Sequence, residues 1–572
     1  MGLFGLVAAL VVALMASRVA AADQVGDGLS VWAVAVYMTH GETTPLLAGH
    51  QPVLTPEGAQ QMWRQGRAFR RRYLSPGGNS SIPNMSVDAI DNRQLAVASR
   101  NKAWVAGGAL AFIQGLYPPR ENAAPSDLGR NYAAGDRLID YPLNGYQYPL
   151  VQTLSSQDPS SVGLQGDVGC LAWQQEMDTS FLKRQDIGAR IEATAGIYEA
   201  LFSSQPLQGT VPLEQANYVN ALEVYNLVNY LYAHNETVFR KLGNAKEVIS
   251  VLNTLAYSSE RDKTGYNGTA DDSSAVAANA SYADIYSIAG RTLATQLARR
   301  LATVVGAGGA RGKMTLMFGS SRPLISFLSV AGLLTRQNVA SGPLSHLPGP
   351  GAALVLEVVS DAGAEDGRSF PRTSDLRVRF SYKPSADANE TLTTYPLFGS
   401  GLDGATIPYT AFIRHMADRG TTVSQWCHVC HSYLTSPWCA VRPERSSSGN
   451  GSAIIAVLGS ALVVFVIAFL GVVFCLRKEH TRCDRKKPVF KPFGGFRGAQ
   501  KGPSDADVDI SQGGTREART GSWEMRQGIG LATSNANAGG IVTRNFSTPS
   551  AYRQDDDCAS LSGLPVKPRE TV

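Results

Sequence analysis

The run AIIAVLGSALVVFVIAFLGVVFCL, residues 453–476, constrains this chain more than any other stretch, because it is 24 residues long without a charge. About 20 apolar residues suffice to cross a bilayer as a helix, so the parts before and after it are expected in different compartments. From Arg477 to Lys501, nine Lys or Arg stand against Glu479 and Asp484. Such an excess beside a span marks the cytosolic side and suits contact with anionic inner-leaflet lipid. The segment before the span is then predicted to be extracellular or lumenal, giving a type I single-pass protein of the plasma membrane or another secretory-pathway membrane. Residues 1–22, with a long apolar core and small residues at Ala20, Ala21 and Ala22, read as a secretory signal peptide. The whole chain carries a net charge of +5, less than the excess of seven in the juxtamembrane stub. The remainder is mildly acidic and lacks the basic surface that nucleic-acid binding needs. The expected partners are therefore membrane lipid, through the 453–476 helix and the basic stub, and a small-molecule or protein ligand that the sequence does not name.

Residues 23–441 form the expected ectodomain. Strand-like runs such as VWAVAVYM, KMTLMF and ALVLEVV alternate with helical patterns, which predicts an α/β core. Thr55 followed by Pro56 reads as a helix start. From about 190 to 305 the apolar residues recur at three- and four-residue spacing, so this part is read as a mainly helical insertion or cap. A short stalk (442–452) leads to the span, and the Gly-, Ser- and charge-rich tail from 477 to 572 is expected to be disordered.

Four of the seven cysteines, Cys170, Cys427, Cys430 and Cys439, precede the span. An even number in an oxidising compartment favours two disulfides, with three pairings open. Cys427-His428-Val429-Cys430-His431 also matches a haem-attachment pattern and, with Cys439, a zinc set. The disulfide reading outweighs both, so no metal and no cofactor is expected. N-glycosylation sequons stand at Asn79, Asn84, Asn235, Asn267, Asn279 and Asn389; a further one, Asn450, lies too near the bilayer to be expected modified. The arginine run in RAFRRRYL is read as a solvated helix face.

Several stretches, taken in order, resemble one family. VYMTHGETTP (36–45) is followed by LTPEGAQQMWRQGRAFRRRYL, GALAFIQGLYPP, FGSSRPLISFLSVAGLL, VRFSYKP with YPLFGSG, and VSQWCHVC. Together they resemble the histidine acid phosphatases, in particular their fungal phytase-like branch, across about 30–440. The resemblance implies a phosphoglycerate-mutase-like fold and paired cysteines near the end of the ectodomain. It also implies a reaction in which a neutral histidine attacks a phosphomonoester to form a phosphohistidine, while arginine forks hold the phosphoryl oxygens and a late His-Asp pair protonates the leaving group.

Carried onto this chain, the nucleophile is His40, but the flanking arginines fall on Thr39 and Thr43. The third arginine falls on Trp104, and the late His-Asp pair on Ser320 and Ser321. One lost donor of this kind costs about 10²- to 10³-fold in rate. His40 is therefore expected to be the remnant of a nucleophile, and the ectodomain a catalytically degenerate member serving ligand binding or cell-surface signalling. The alternative is an atypical acid phosphatase using His40 with relocated cations, for which Arg100, Lys102 and Arg322 are the candidates. Trp104 is expected to wall the vacated space with an apolar surface suited to a neutral or aromatic ligand.

Overall fold

The computed structural model describes residues 28–49, 51–75, 80–265, 285–361, 369–399 and 405–440. The leader at 1–22, the stalk, the 453–476 run, the tail and the sequons at Asn79, Asn267, Asn279 and Asn450 lie outside these residues. Among the described residues no helix is long and apolar enough to cross a membrane.

The expected α/β class holds. The main sheet is built from β1 (Leu29–Thr39), β2 (Leu95–Arg100), β3 (Val151–Leu154), β4 (Met314–Gly319), β5 (Ala353–Asp361), β6 (Arg377–Lys383), β7 (Thr393–Thr394) and β8 (Thr406–Pro408). Their spatial order is β8-β6-β5-β1-β4-β2-β3, with β7 beside β6. β1 pairs parallel with β4, and β4 and β3 run parallel to β2; on its other side β1 pairs antiparallel with β5. β1 is thus where the two halves of the sheet meet. Its sequence suits that place, since a strand covered on both faces reads as a continuous apolar run. Val34, Val36 and Met38 pack on one face while Ala33, Ala35 and Tyr37 pack on the other. A register shift against β5 between Val31 and Ala33 puts Trp32 on the same side as Ala33, as a bulge does.

The longer helices among the described residues are α1 (Pro56–Phe69), α2 (Ala103–Leu116), α3 (Gln185–Phe202), α4 (Ala221–His234), α5 (Ala245–Lys263), α6 (Ile288–Gly306), α7 (Ser321–Val330), α8 (Tyr409–Arg419) and α9 (Val423–Val429). α1 and α2 cover one face of the sheet, with Met62, Phe69, Phe112 and Leu116 against the strands; α6 and α7 cover the other through Leu293, Leu297, Leu324 and Phe327. α1 begins as its sequence indicates: Thr55 accepts from Gly58 N and Pro56 opens the first turn. α1 and α2 cross with backbones nearly touching. A Cβ on Gly66 would lie 1.9 Å from the Phe112 carbonyl oxygen, and one on Gly115 would lie 2.1 Å from that of Trp63. α3, α4 and α5 form a helical group with its own apolar core around Tyr198, Phe202, Val224 and Leu252.

Two disulfides tie down the last described segment, Cys170–Cys430 and Cys427–Cys439. They select one of the three pairings and leave CHVCH as a disulfide segment. The sequon residues Asn84, Asn235 and Asn389 are all exposed.

The arginine run fits its reading as a solvated face at the exposed Arg67 and Arg71 and departs from it at Arg70 and Arg72. Arg70 donates to the Val87 and Leu116 carbonyls at 2.8 and 3.0 Å, and Arg72 reaches the fully buried Glu357 of β5 at 3.0 Å. Glu357 also accepts from Tyr73 Oη at 2.7 Å and from Arg379 Nε at 2.6 Å. Burial alone would favour its neutral form, but Arg72 and Arg379 outweigh burial and hold the carboxyl below its usual range. Glu357→Ala removes the carboxylate that Arg72, Tyr73 and Arg379 share, and removing one member of a buried pair costs about 3–5 kcal/mol. A fall of that size in unfolding free energy is the expected outcome in chemical denaturation. The shift also carries a sign: the stabilisation from Glu357 is present above its unfolded pKa and is lost as pH falls through the lower folded value.

Candidate functional site

β1, β4 and β2 run parallel and therefore end on the same side, where open α/β sheets bind ligands. His40 follows the end of β1, Ser320 follows β4, and Trp104 stands in the first turn of α2 after β2. Thr39 is in register with Gly319, so His40 and Ser320 are neighbours although 280 positions apart in the chain. His40 N donates to Gly319 O at 3.1 Å, and His40 O accepts from Gly351 N at 3.0 Å. The following turn is fixed by close backbone packing, since a Cβ on Gly41 would sit 2.2 Å from Gly58 O and one on Gly58 would sit 2.1 Å from Glu42 O. Tyr37 Oη donates to the carbonyls of Ser320 and Leu164 at 3.1 and 3.3 Å, which pins the start of α7.

Around His40 lies a cleft of about 400 Å³. The structure brings all five substituted positions to its lining: Thr39, Thr43, Trp104, Ser320 and Ser321. Thr39 is turned inward, its hydroxyl donating to Gly349 O at 2.8 Å. Trp104 is 8% exposed, so only an edge of its indole meets the cleft. No Lys or Arg lines the cleft among the described residues; the charged groups there are Glu42 and Asp387.

The three candidate replacement cations lie elsewhere. Arg322 is buried, bonded through Nε to Glu260 at 2.9 Å and through Nη1 to Asp167 at 3.3 Å, with Trp173 under its guanidinium at 5.1 Å. Arg100 is buried and donates through Nε to Gln165. The Lys102 ammonium lies 5.7 Å from the centre of the Trp104 ring. None of the three belongs to the cleft wall.

Nδ1 of His40 lies 2.8 Å from Gly41 O. A carbonyl can only accept, so Nδ1 carries the proton and Nε2 is the basic nitrogen of the neutral ring. Burial lowers the pKa below its ordinary 6.5; the bond to Gly41 O opposes this and the nearby Arg100 charge adds to it. The ring is therefore kept in the uncharged state and tautomer that a nucleophile would need, in a cleft that no Lys or Arg lines among the described residues.

The sequence did not reveal the opposite wall. One stripe of α4, Leu222, Tyr225, Asn226, Asn229 and Tyr230, faces the cleft, and its spacing is that of a single helix face. The two asparagines within an otherwise apolar stripe were the available signal. His234, at the end of α4, reaches Glu42 Oε1 at 2.9 Å, and Thr55 Oγ1 donates to the same oxygen at 2.8 Å.

No protein-family model and no curated protein sequence matches the chain. Among solved structures it is similar in fold to phytases. The Klebsiella sp. ASR1 phytase has a TM-score of 0.45 at 12% identity, over 73% of this chain and 98% of that one. The Hafnia alvei phytase in its apo form gives 0.44 at 12%, over 69% and 98%, and the D. castellii phytase gives 0.41 at 14%, over 70% and 82%. Likeness at this level says nothing about chemistry, which rests on the residues of the cleft.

His40 is expected to titrate below 6.5 in the folded chain, as read by NMR of its ring. A histidine whose folded pKa is depressed does not disfavour folding above its unfolded pKa and disfavours it increasingly as pH falls below that value. His40→Gln should therefore narrow the loss of stability between neutral and mildly acid pH; an unchanged pH profile would contradict the assignment.

Proposed function

We propose that this chain is a single-pass membrane glycoprotein whose phosphatase-like ectodomain binds a ligand in the cleft beside His40 and has lost phosphoryl transfer. The observation that carries this reading is electrostatic: among the described residues, the cleft wall holds two carboxylates and no cation. A phosphomonoester with up to two negative charges would leave water for a site whose own charges repel it, with no fork of donors to replace its hydration. The family resemblance explains why a histidine stands at the end of β1. The substitutions at Thr39, Thr43, Trp104, Ser320 and Ser321 explain why it is not expected to act. The leader, the 453–476 run and the basic stub support an outward-facing ectodomain in a secretory-pathway or plasma membrane. The sequons support glycosylation.

One observation favours a second reading. The ring of His40 is neutral, with Nδ1 donating to Gly41 O, as nucleophilic attack through Nε2 would require. An atypical acid phosphatase would exploit this with cations brought in by movement of the wall.

Hydrolysis of p-nitrophenyl phosphate by the full-length chain between acid and neutral pH separates the two. The expected result is turnover no greater than that of His40→Ala. Turnover that His40→Ala abolishes would overturn the binding-module reading.

A further inference from the structure

We propose that the cleft binds an uncharged, polyhydroxylated ring, such as a free hexose or a hexose unit of a glycan, and that Asn226 and Asn229 read its hydroxyls. This rests on the reading of the cleft as a binding site without phosphoryl chemistry, and it goes further by naming the ligand class. Asn226 and Asn229 stand three residues apart on α4, so they share a face, and both line the cleft. Asn226 is exposed and Asn229 half-buried, and among the described residues neither side chain makes a hydrogen bond to protein; the same is true of the half-buried Thr43 and Ser321 hydroxyls, which also line the cleft. These groups sit at the accessible surface of the cavity, so water or a ligand takes the bonds that protein does not.

The chemistry of these groups selects the ligand. A side-chain amide offers two donors and an acceptor, and a hydroxyl offers one donor and two lone pairs. Facing amides and hydroxyls therefore match a molecule whose groups also both donate and accept, which a sugar hydroxyl does and a phosphate oxygen or an alkyl chain does not. The cavity of about 400 Å³ lies within the usual size of small-molecule sites. Tyr230, part of the same stripe, and the exposed edge of Trp104 supply apolar surface for the C–H face of a ring.

A cationic amine fits less well. Glu42 already accepts from Thr55 at 2.8 Å and meets His234 at 2.9 Å, and Asp387 is exposed at the rim. Neither carboxylate is held buried and unpaired, as an ammonium site would need.

Saturation-transfer NMR and isothermal titration on the full-length chain test the proposal, with glucose, galactose, mannose and glucose 6-phosphate as probes. At least one neutral hexose is expected to bind saturably and more tightly than glucose 6-phosphate. Asn226→Ala and Asn229→Ala should each weaken that binding by up to about tenfold, the size of one net hydrogen bond. Their melting temperatures should stay unchanged, because neither amide is bonded to protein. No binding of any neutral hexose, or binding that both variants retain, overturns this inference and leaves the binding-module reading to the p-nitrophenyl phosphate assay. Preference for glucose 6-phosphate over glucose overturns both.

Discussion

The parallel pairing of β1 with β4 is the constraint on which the rest of this molecule depends. It brings the residue after Thr39 beside the residue after Gly319, and the hydrogen bonds that fix the two use their main-chain atoms rather than their side chains. His40 is held through its own N–H and carbonyl, and Ser320 through the Tyr37 hydroxyl. A scaffold of this kind keeps a cleft in place while the side chains facing it change. That explains how His40 can keep a nucleophile's posture while Thr39, Thr43, Trp104, Ser320 and Ser321 stand around it.

The charges near the cleft have been arranged for folding. Arg322 follows Ser321 directly, yet it points into a buried ionic cluster with Glu260 and Asp167, where Lys263 also bonds Glu260 at 2.9 Å. Turning Arg322 toward the cleft would leave Glu260 and Asp167 buried with less compensation, a cost of several kcal/mol by the usual measure of a broken buried pair. The nearest cation in sequence is thus committed by its partners. The charge of Arg100 adds to burial in keeping the His40 ring neutral.

Much of this was legible in the chain. The apolar run VWAVAVYM marked a strand and Thr55-Pro56 marked a helix start, because both signals are local and depend on short-range sterics and hydrogen bonding. The five positions that line the cleft beside His40 were found by motif order, which tracks the ends of strands. What was not legible came from long-range packing. Nothing in RAFRRRYL indicated that Arg72 would meet a carboxylate 285 residues away. Likewise, no local pattern said that α4 would lay Asn226 and Asn229 across the cleft. The cysteine pairing was open for the same reason, since spacing does not report distance in the fold.

The bridge from Cys170 to Cys430 joins positions 260 residues apart. It encloses the helical group, β4 and most of the antiparallel half of the sheet in one covalent ring. A single cut in the backbone anywhere inside that ring would nick the molecule without dividing it, and both fragments would travel together until a reductant opened the bond. Separating the two pieces after one cut within that region is therefore a two-step event that needs hydrolysis and reduction in turn.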